Sequence, residues 1–131
     1  MKHLRSIASV AFALALLTQS AHSKEKKEWQ GYLIDRMCMK AVSNSLDPLD
    51  FVYHHTKDCL LMPTCRRQGF ALYMAKQKKW LNLNKKGNEL AEKVIRHSKR
   101  NSTFFVSVKG NVVKGILNVD AITEIENKKH K

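Results

Sequence analysis

Short runs of alternating apolar and polar residues, each bounded by turn-forming residues, constrain the fold of this 131-residue chain most strongly. Alternation with a period of two is typical of β-strands that bury one face. Four such runs are predicted as strands: residues 29–35, 70–75, 80–84 and 103–109. Residues 112–125 supply one bent final strand or two short ones, interrupted near Gly115, after a predicted turn at Gly110-Asn111.

One amphipathic helix is predicted between the third and fourth strands. Asn88 is its candidate N-cap, and apolar residues at positions 90, 91, 94 and 95 form a stripe at helical spacing. Residues 36–53 are predicted to be irregular, Thr56 can cap a short helix that ends near Met62, and Gly69 is a good helix terminator.

The predicted order is strand, cysteine-bearing insertion, strand, strand, helix, strand, strand. This is the order of an OB-fold, a small barrel with Greek-key connections. A short chain cannot leave many sheet edges unpaired, which favours closure of the sheet. We therefore predict a mainly β fold with one or two helices, built as a small OB-like Greek-key barrel, with an α+β roll as the alternative.

The first 23 residues have the three parts of a cleaved secretory signal peptide. Lys2, His3 and Arg5 form a positive start, residues 7–17 are apolar, and Ala21-His22-Ser23 places small residues where a signal peptidase reads. The apolar run is shorter than the roughly 20 residues that a membrane-spanning helix needs. We predict an exported protein, periplasmic or secreted, with no transmembrane segment after cleavage.

The domain organisation follows from this segment and from the composition at the two ends. Residues 1–23 are the predicted signal peptide, 24–28 a charged lead-in, 29–126 the OB-like domain and 127–131 a basic tail. The remaining 108 residues are enough for one domain with a modest core.

The predicted mature chain is strongly basic, with 22 lysines and arginines against 11 acidic residues and a net charge of +11. Such a charge favours anionic partners, here an anionic envelope polymer, with nucleic acid possible but less favoured. The residues predicted to bind a polyanion are Lys76, Lys78, Lys79, Trp80, Lys85 and Lys86. The alternative is a solvated charged turn beside a Trp80 that packs in the core.

The cysteines and histidines form the one cluster with recognisable chemistry, spaced C-x15-H-H-x3-C-x5-C. Thiolate and imidazole are ligands for zinc and copper, so Cys38, His55, Cys59 and Cys65 are the candidate metal ligands. Three nearby methionines, at positions 37, 39 and 62, would also suit Cu(I).

A structural disulfide among Cys38, Cys59 and Cys65 is the alternative to a metal, with one thiol left over. Chain entropy gives roughly 2.4 kcal/mol for the Cys59–Cys65 pairing and roughly 3.6 kcal/mol for Cys38–Cys65, too small a difference to choose between them.

No enzyme motif accompanies the cysteine cluster. The sequence lacks G-x-S-x-G, H-E-x-x-H and a phosphate-cradling glycine loop. It also lacks the C-x-x-C motif that is common in thiol–disulfide exchange. We therefore predict a non-enzymatic binding module whose Cys/His cluster holds a metal or a structural disulfide, with a polyanion-binding protein as the alternative function.

The segment GYLIDRMC at residues 31–38 resembles the opening of a group of small exported bacterial domains, whose first strand reads G-Y-(V/I/L)-x-D-x-M-C. Further matches lie at residues 55–59, 62–65, 69–72 and 86–90, so the resemblance covers roughly residues 29–126. It implies an OB-like barrel with a recurring Cys/His cluster, and it implies no activity. This chain departs from the group at Met39, where a Gly often stands, and in its long gap between Cys59 and Cys65.

Overall fold

The computed structural model describes residues 26–127, which form five strands and five helices. The predicted signal peptide, the first two residues of the lead-in and the last four residues of the tail lie outside the described residues. The elements in chain order are β1 (Lys27–Asp35), α1 (Arg36–Val42), α2 (Pro48–His54), α3 (Lys57–Leu60), α4 (Pro63–Gln68), β2 (Phe70–Met74), β3 (Lys79–Leu83), α5 (Lys85–His97), β4 (Phe105–Val113) and β5 (Ile116–Glu124).

The five strands close into a small barrel in the order β1-β2-β3-β5-β4. β1 is long enough to pair with β2 through its second half and with β4 through its first half, and both pairings are antiparallel. β3 and β5 pair in parallel, and α5 connects β3 to β4. The mainly β, OB-like architecture predicted from the sequence is confirmed. The five short helices exceed the predicted one or two.

The segment predicted to be irregular, residues 36–53, contains two of these helices, so that prediction is wrong. Asp35 caps α1 by accepting a hydrogen bond from the backbone N of Cys38. Asp47 caps α2, and Pro48 occupies its first turn, where a missing N–H costs nothing. Of the residues that predicted an irregular stretch, Asp47 and Pro48 instead begin a helix, whereas Ser43 and Asn44 do form a turn between α1 and α2. The predicted cap at Thr56 and the predicted terminator at Gly69 are both confirmed.

Two boundaries in the second half also differ from the prediction. The helix α5 begins after Asn84, whose side chain accepts from the backbone N of Gly87, rather than after Asn88. The last turn lies at Lys114-Gly115, where both residues have positive φ, as a two-residue hairpin turn of the I′ type requires. The turn predicted at Gly110-Asn111 is wrong, because both residues lie within β4 and Gly110 stands at a register shift. The backbone O of Asn118 also leaves no room for a Cβ on Gly110.

Apolar side chains occupy both faces of β1 and β2. The inner face contributes to the barrel core, which includes Phe70, Leu72 and Leu117 and is closed by Ile95 of α5. The outer face carries a second cluster, with Tyr32, Ile34, Ala71 and Tyr73 covered by Val52 of α2. The first half of the cysteine-bearing insertion, α1 and α2, therefore packs on the outside of the barrel.

Within residues 26–127, no helix has both the length and the apolar character that a bilayer crossing needs.

Candidate metal centre

The carboxylate of Asp35 lies at the centre of the cysteine-bearing region and is completely buried. It occupies the junction at which β1 ends and α1 begins. One of its oxygens, Oδ1, accepts a hydrogen bond from the backbone N of Cys38 at 2.9 Å. The other, Oδ2, accepts a hydrogen bond from Nε2 of His55 at 2.7 Å. Burying a carboxylate costs free energy unless hydrogen-bond donors surround it. These two N–H groups supply two of the hydrogen bonds that offset this cost.

Two thiols on different helices lie close to this carboxylate. Cys38 lies in the first turn of α1, and Cys65 is buried in α4, which packs against α1. One carboxylate oxygen of Asp35 and the Sγ atoms of Cys38 and Cys65 all lie within 4.8 Å of one another. A metal at the centre of such a group needs ligand distances of about 2.0–2.3 Å, so only a small contraction would be required.

His55, a predicted ligand, lies on the other side of Asp35 and does not belong to the group of three ligand atoms. It follows the last residue of α2, is 8% exposed, and its ring stacks on that of Phe51 at a centroid distance of 5.0 Å. Metal-bound carboxylates are themselves held by hydrogen bonds from a further ring of residues. The geometry therefore gives His55 the task of holding Asp35 rather than that of binding a metal directly.

Cys59, another predicted ligand, is partly exposed on α3 and also lies outside this group. It is nevertheless close enough for its charge to raise the pKa of both Cys38 and Cys65. The three sulfurs thus share one region, in which two thiols lie on the carboxylate and the third is nearby.

Burial governs the protonation of the site. Desolvation, reinforced by the charge of Asp35, raises the pKa of Cys38 to about 12, and the same two causes raise the pKa of Cys65. Burial would also raise the pKa of Asp35, but hydrogen bonds from His55 and Cys38 outweigh it and lower that pKa. The metal-free site is therefore a carboxylate facing two protonated thiols. Such thiols are poor nucleophiles, whereas a bound cation would stabilise their thiolates.

All three cysteines are free thiols in the described structure. Among the pairings left open by the sequence, the structure brings Cys38 and Cys65 together, although a disulfide would need their sulfurs to approach to about 2.05 Å. The same two residues are thus the principal candidates for either a metal or a bridge.

Sequence reasoning missed Asp35 as a ligand, because an aspartate near cysteines has no distinctive spacing of its own. The signal available in the sequence was the position of Asp35, three residues before Cys38. An N-cap side chain commonly accepts a hydrogen bond from the N–H group three residues further along the chain. Recognising that cap would have placed a carboxylate beside the first cysteine.

The predicted polyanion-binding residues lie at both ends of β3. Lys76, Lys78 and Lys79 are exposed in and beside the β2–β3 turn, whereas Lys85 and Lys86 are exposed at the start of α5. The five-residue strand between them is about 17 Å long. Trp80 is partly buried and stacks on Tyr73 at a centroid distance of 4.1 Å. Much of its ring therefore contributes to packing.

Comparison of the chain with known protein families, with curated proteins and with solved structures finds no match in any of the three.

Proposed function

We propose that this protein is an exported, non-enzymatic binding module that holds a single zinc or copper ion between Asp35, Cys38 and Cys65. The observation that carries the proposal is the group of three ligand atoms within 4.8 Å at one buried carboxylate. Exposed carboxylates often cluster without binding an ion. Asp35 differs from them because its side chain is completely buried and lies beside two sulfur atoms.

The donor set narrows the choice of metal. Zinc accepts sulfur and oxygen ligands together, so it would use both thiolates and the carboxylate and take a fourth ligand from water. Cu(I) prefers sulfur, so it would use the two thiolates of Cys38 and Cys65. In both cases Cys38 and Cys65 are indispensable and His55 acts through Asp35.

A binding role fits the chemistry of the thiols better than catalysis does. Thiol enzymes depend on a lowered pKa, and here burial and Asp35 raise the pKa of Cys38 and Cys65. The basic start and the apolar run at residues 2–17 support export.

The test is the intact mass of the mature protein purified from its export compartment, measured under native and then denaturing conditions with thiol alkylation. We expect a native mass excess equal to one zinc or copper ion, and three alkylatable thiols after denaturation. A mass two hydrogens lower, with one alkylatable thiol and no metal, would show a structural disulfide and overturn the proposal.

Serine variants then identify the ligands, with Co²⁺ as a spectroscopic substitute for zinc. Cys38→Ser and Cys65→Ser should each remove most of the sulfur-to-cobalt charge-transfer absorption, whereas Cys59→Ser, the matched control, should retain it. Equal loss in all three variants would contradict the ligand set of Asp35, Cys38 and Cys65.

A further inference from the structure

Three exposed apolar side chains lie together at the turn that joins β4 to β5, in a segment that we call the hairpin tip, residues 112–116. Val112, Val113 and Ile116 are 38%, 48% and 43% exposed. The two turn residues between them, Lys114 and Gly115, are exposed as well. Single exposed apolar residues are ordinary on a protein surface, whereas a cluster of them that is rimmed by polar groups marks a surface that contacts something else.

Strand pairing holds the hairpin tip in place and puts apolar groups on both of its faces. Val113 and Ile116 are cross-strand partners and therefore share one face, and Ile116 also pairs with Asn82 of β3. Val112 pairs with Leu117, which is buried in the barrel core, so it lies on the other face. A flat protein surface would cover only one of these faces, whereas a fluid lipid interface surrounds an inserted tip on both.

The charges beside these apolar groups all have one sign. Residues 82–88 and 111–118, which include the hairpin tip and the start of α5, contain three lysines and no acidic residue. Lys85 and Lys86 are exposed directly after Asn84, whose backbone N donates to the backbone O of Leu117 at 3.1 Å. The start of α5 is therefore adjacent to the hairpin tip, and its two lysines add to the positive charge of Lys114.

This combination matches the interface of an anionic bilayer. Aliphatic side chains enter the boundary between head groups and acyl chains, while lysine side chains keep their ammonium groups among the phosphates. Each lysine close to an anionic lipid surface strengthens binding roughly fivefold. A nucleic acid would pair with the same lysines but would leave the three aliphatic side chains in water.

We propose that the hairpin tip and the start of α5 form a docking surface for a membrane that contains anionic lipids. The apolar residues of the tip insert into the interface, and the three lysines bind the phosphates of the head groups. The association is peripheral and does not involve the candidate metal centre.

The experiment is co-sedimentation of the mature protein with two kinds of vesicle, phosphatidylcholine alone and phosphatidylcholine mixed with the anionic lipid phosphatidylglycerol. We expect saturable binding to the mixed vesicles and at least about tenfold weaker binding to phosphatidylcholine alone. Absence of binding to the mixed vesicles overturns the proposal. Self-association of the protein in place of vesicle binding, abolished by changes at the hairpin tip, would assign this surface to a second copy of the chain and would also overturn it.

Charge variants separate docking at this surface from attraction by the net charge of the whole chain. Lys85→Gln combined with Lys86→Gln should weaken binding to the mixed vesicles about 20-fold. Lys76→Gln combined with Lys78→Gln is the matched control, because it removes the same charge from the exposed β2–β3 turn at the other end of β3. The control should weaken binding less than about threefold. Equal weakening by both pairs would contradict docking at the start of α5.

Apolar variants test insertion of the hairpin tip itself. Val113→Thr combined with Ile116→Thr keeps β-branched side chains in the strands but replaces apolar groups with hydroxyls, and it should weaken binding at least about tenfold. Leu46→Thr combined with Met62→Thr removes two other exposed apolar side chains and should have no effect. Thermal unfolding of each variant verifies that the fold is retained. Unchanged vesicle binding by a folded tip variant would overturn the proposal.

Discussion

Asp35 shows how much a single residue can contribute to several levels of this structure. The same carboxylate ends β1, caps α1, binds His55 of the insertion and faces the thiols of Cys38 and Cys65. The sequence predicted the strand before it and the importance of the cysteine after it, since both leave a pattern in the residues. It did not predict the carboxylate's role, because a buried acceptor is defined by donors that are up to 20 positions away.

Replacing Asp35 by asparagine tests whether its charge holds this junction together. Asp35→Asn keeps the size of the side chain but places an NH₂ group against a donor, either His55 or Cys38. We expect the metal-free protein to lose about 2–4 kcal/mol of unfolding free energy, because a buried charge-assisted network is broken. Urea denaturation measures the loss. Asp120→Asn is the control, since the ion pair of Asp120 with Lys26 is exposed and its loss should change stability by less than about 0.5 kcal/mol. Similar losses in both variants would contradict the role of the buried network.

Gly69 and Gly115 provide a second test, because both have positive φ but only one is crowded. A Cβ on Gly69 would lie 2.8 Å from the amide nitrogen of Asn88, whose Oδ1 accepts from the backbone N of Phe70. A Cβ on Gly115 meets nothing within 4 Å. Gly115→Ala should therefore cost only the backbone penalty of about 1 kcal/mol. Gly69→Ala should cost about 1–2 kcal/mol more, because its Cβ would crowd Asn88 and because its φ of 84° with ψ of −175° is a conformation that glycine alone adopts readily. Thermal unfolding of the two variants compares them directly. Equal costs would contradict both the crowding by Asn88 and the added backbone penalty at Gly69.

At the scale of elements, the strands were easier to predict than the short helices. β1, β2 and β3 were located to within two residues, because alternation over five or more residues is visible in one sequence. Helices α1 and α2 have seven residues each, about two turns. A helix this short has no lasting periodicity and is stable only through its caps and its packing on the barrel. Its presence therefore depends on residues that the local sequence does not reveal.

The helix α4, which carries Cys65, is joined to α5 through Glu92. The carboxylate of Glu92 accepts a hydrogen bond from Arg66 of α4 at 3.0 Å and another from Arg96 of α5 at 2.7 Å. The hydrogen bond from Arg96, followed by that from Arg66, lowers the pKa of Glu92 below 4.5. The resulting stabilisation is complete above the pKa of the unfolded chain and is lost as the pH falls through the lower pKa of the folded protein.

Glu92→Gln should therefore destabilise the protein near neutral pH by about 0.5–1 kcal/mol, a small effect because the pair is partly exposed. The difference from wild type should shrink as the pH falls below 4.5 and vanish once Glu92 is protonated in the folded protein. Urea midpoints measured from pH 7 down to pH 3 test this. Glu89→Gln on the exposed side of the same helix is the control for loss of one negative charge. A difference that is independent of pH would contradict the assigned cause.

At the scale of the whole molecule, the insertion is part of the barrel domain rather than an appendage. Leu60 of α3 is fully buried in the barrel core, and the backbone of Lys57 pairs with that of Asn101 in the connection between α5 and β4. Thr103 also donates its hydroxyl hydrogen bond to the backbone O of Tyr53. The order of elements was sufficient to predict the OB-like barrel. The place where the insertion docks could not be predicted, because it depends on contacts between segments about 40 residues apart in the chain.

Shortening Leu60 tests whether the barrel and the candidate metal centre unfold as one unit. Leu60→Ala should cost about 2–5 kcal/mol, because it leaves a cavity where α3 enters the core. Leu46→Ala removes the same atoms from a fully exposed position and should change stability by less than about 0.5 kcal/mol.

Alkylation of the buried Cys65, followed through the urea transition, then reports on the site itself. If the insertion and the barrel form one cooperative unit, Cys65 becomes reactive at the same urea concentration at which the barrel unfolds, and Leu60→Ala shifts both midpoints equally. Reactivity of Cys65 well before the barrel transition would show that α4 opens separately and that the barrel is stable without the ordered candidate metal centre.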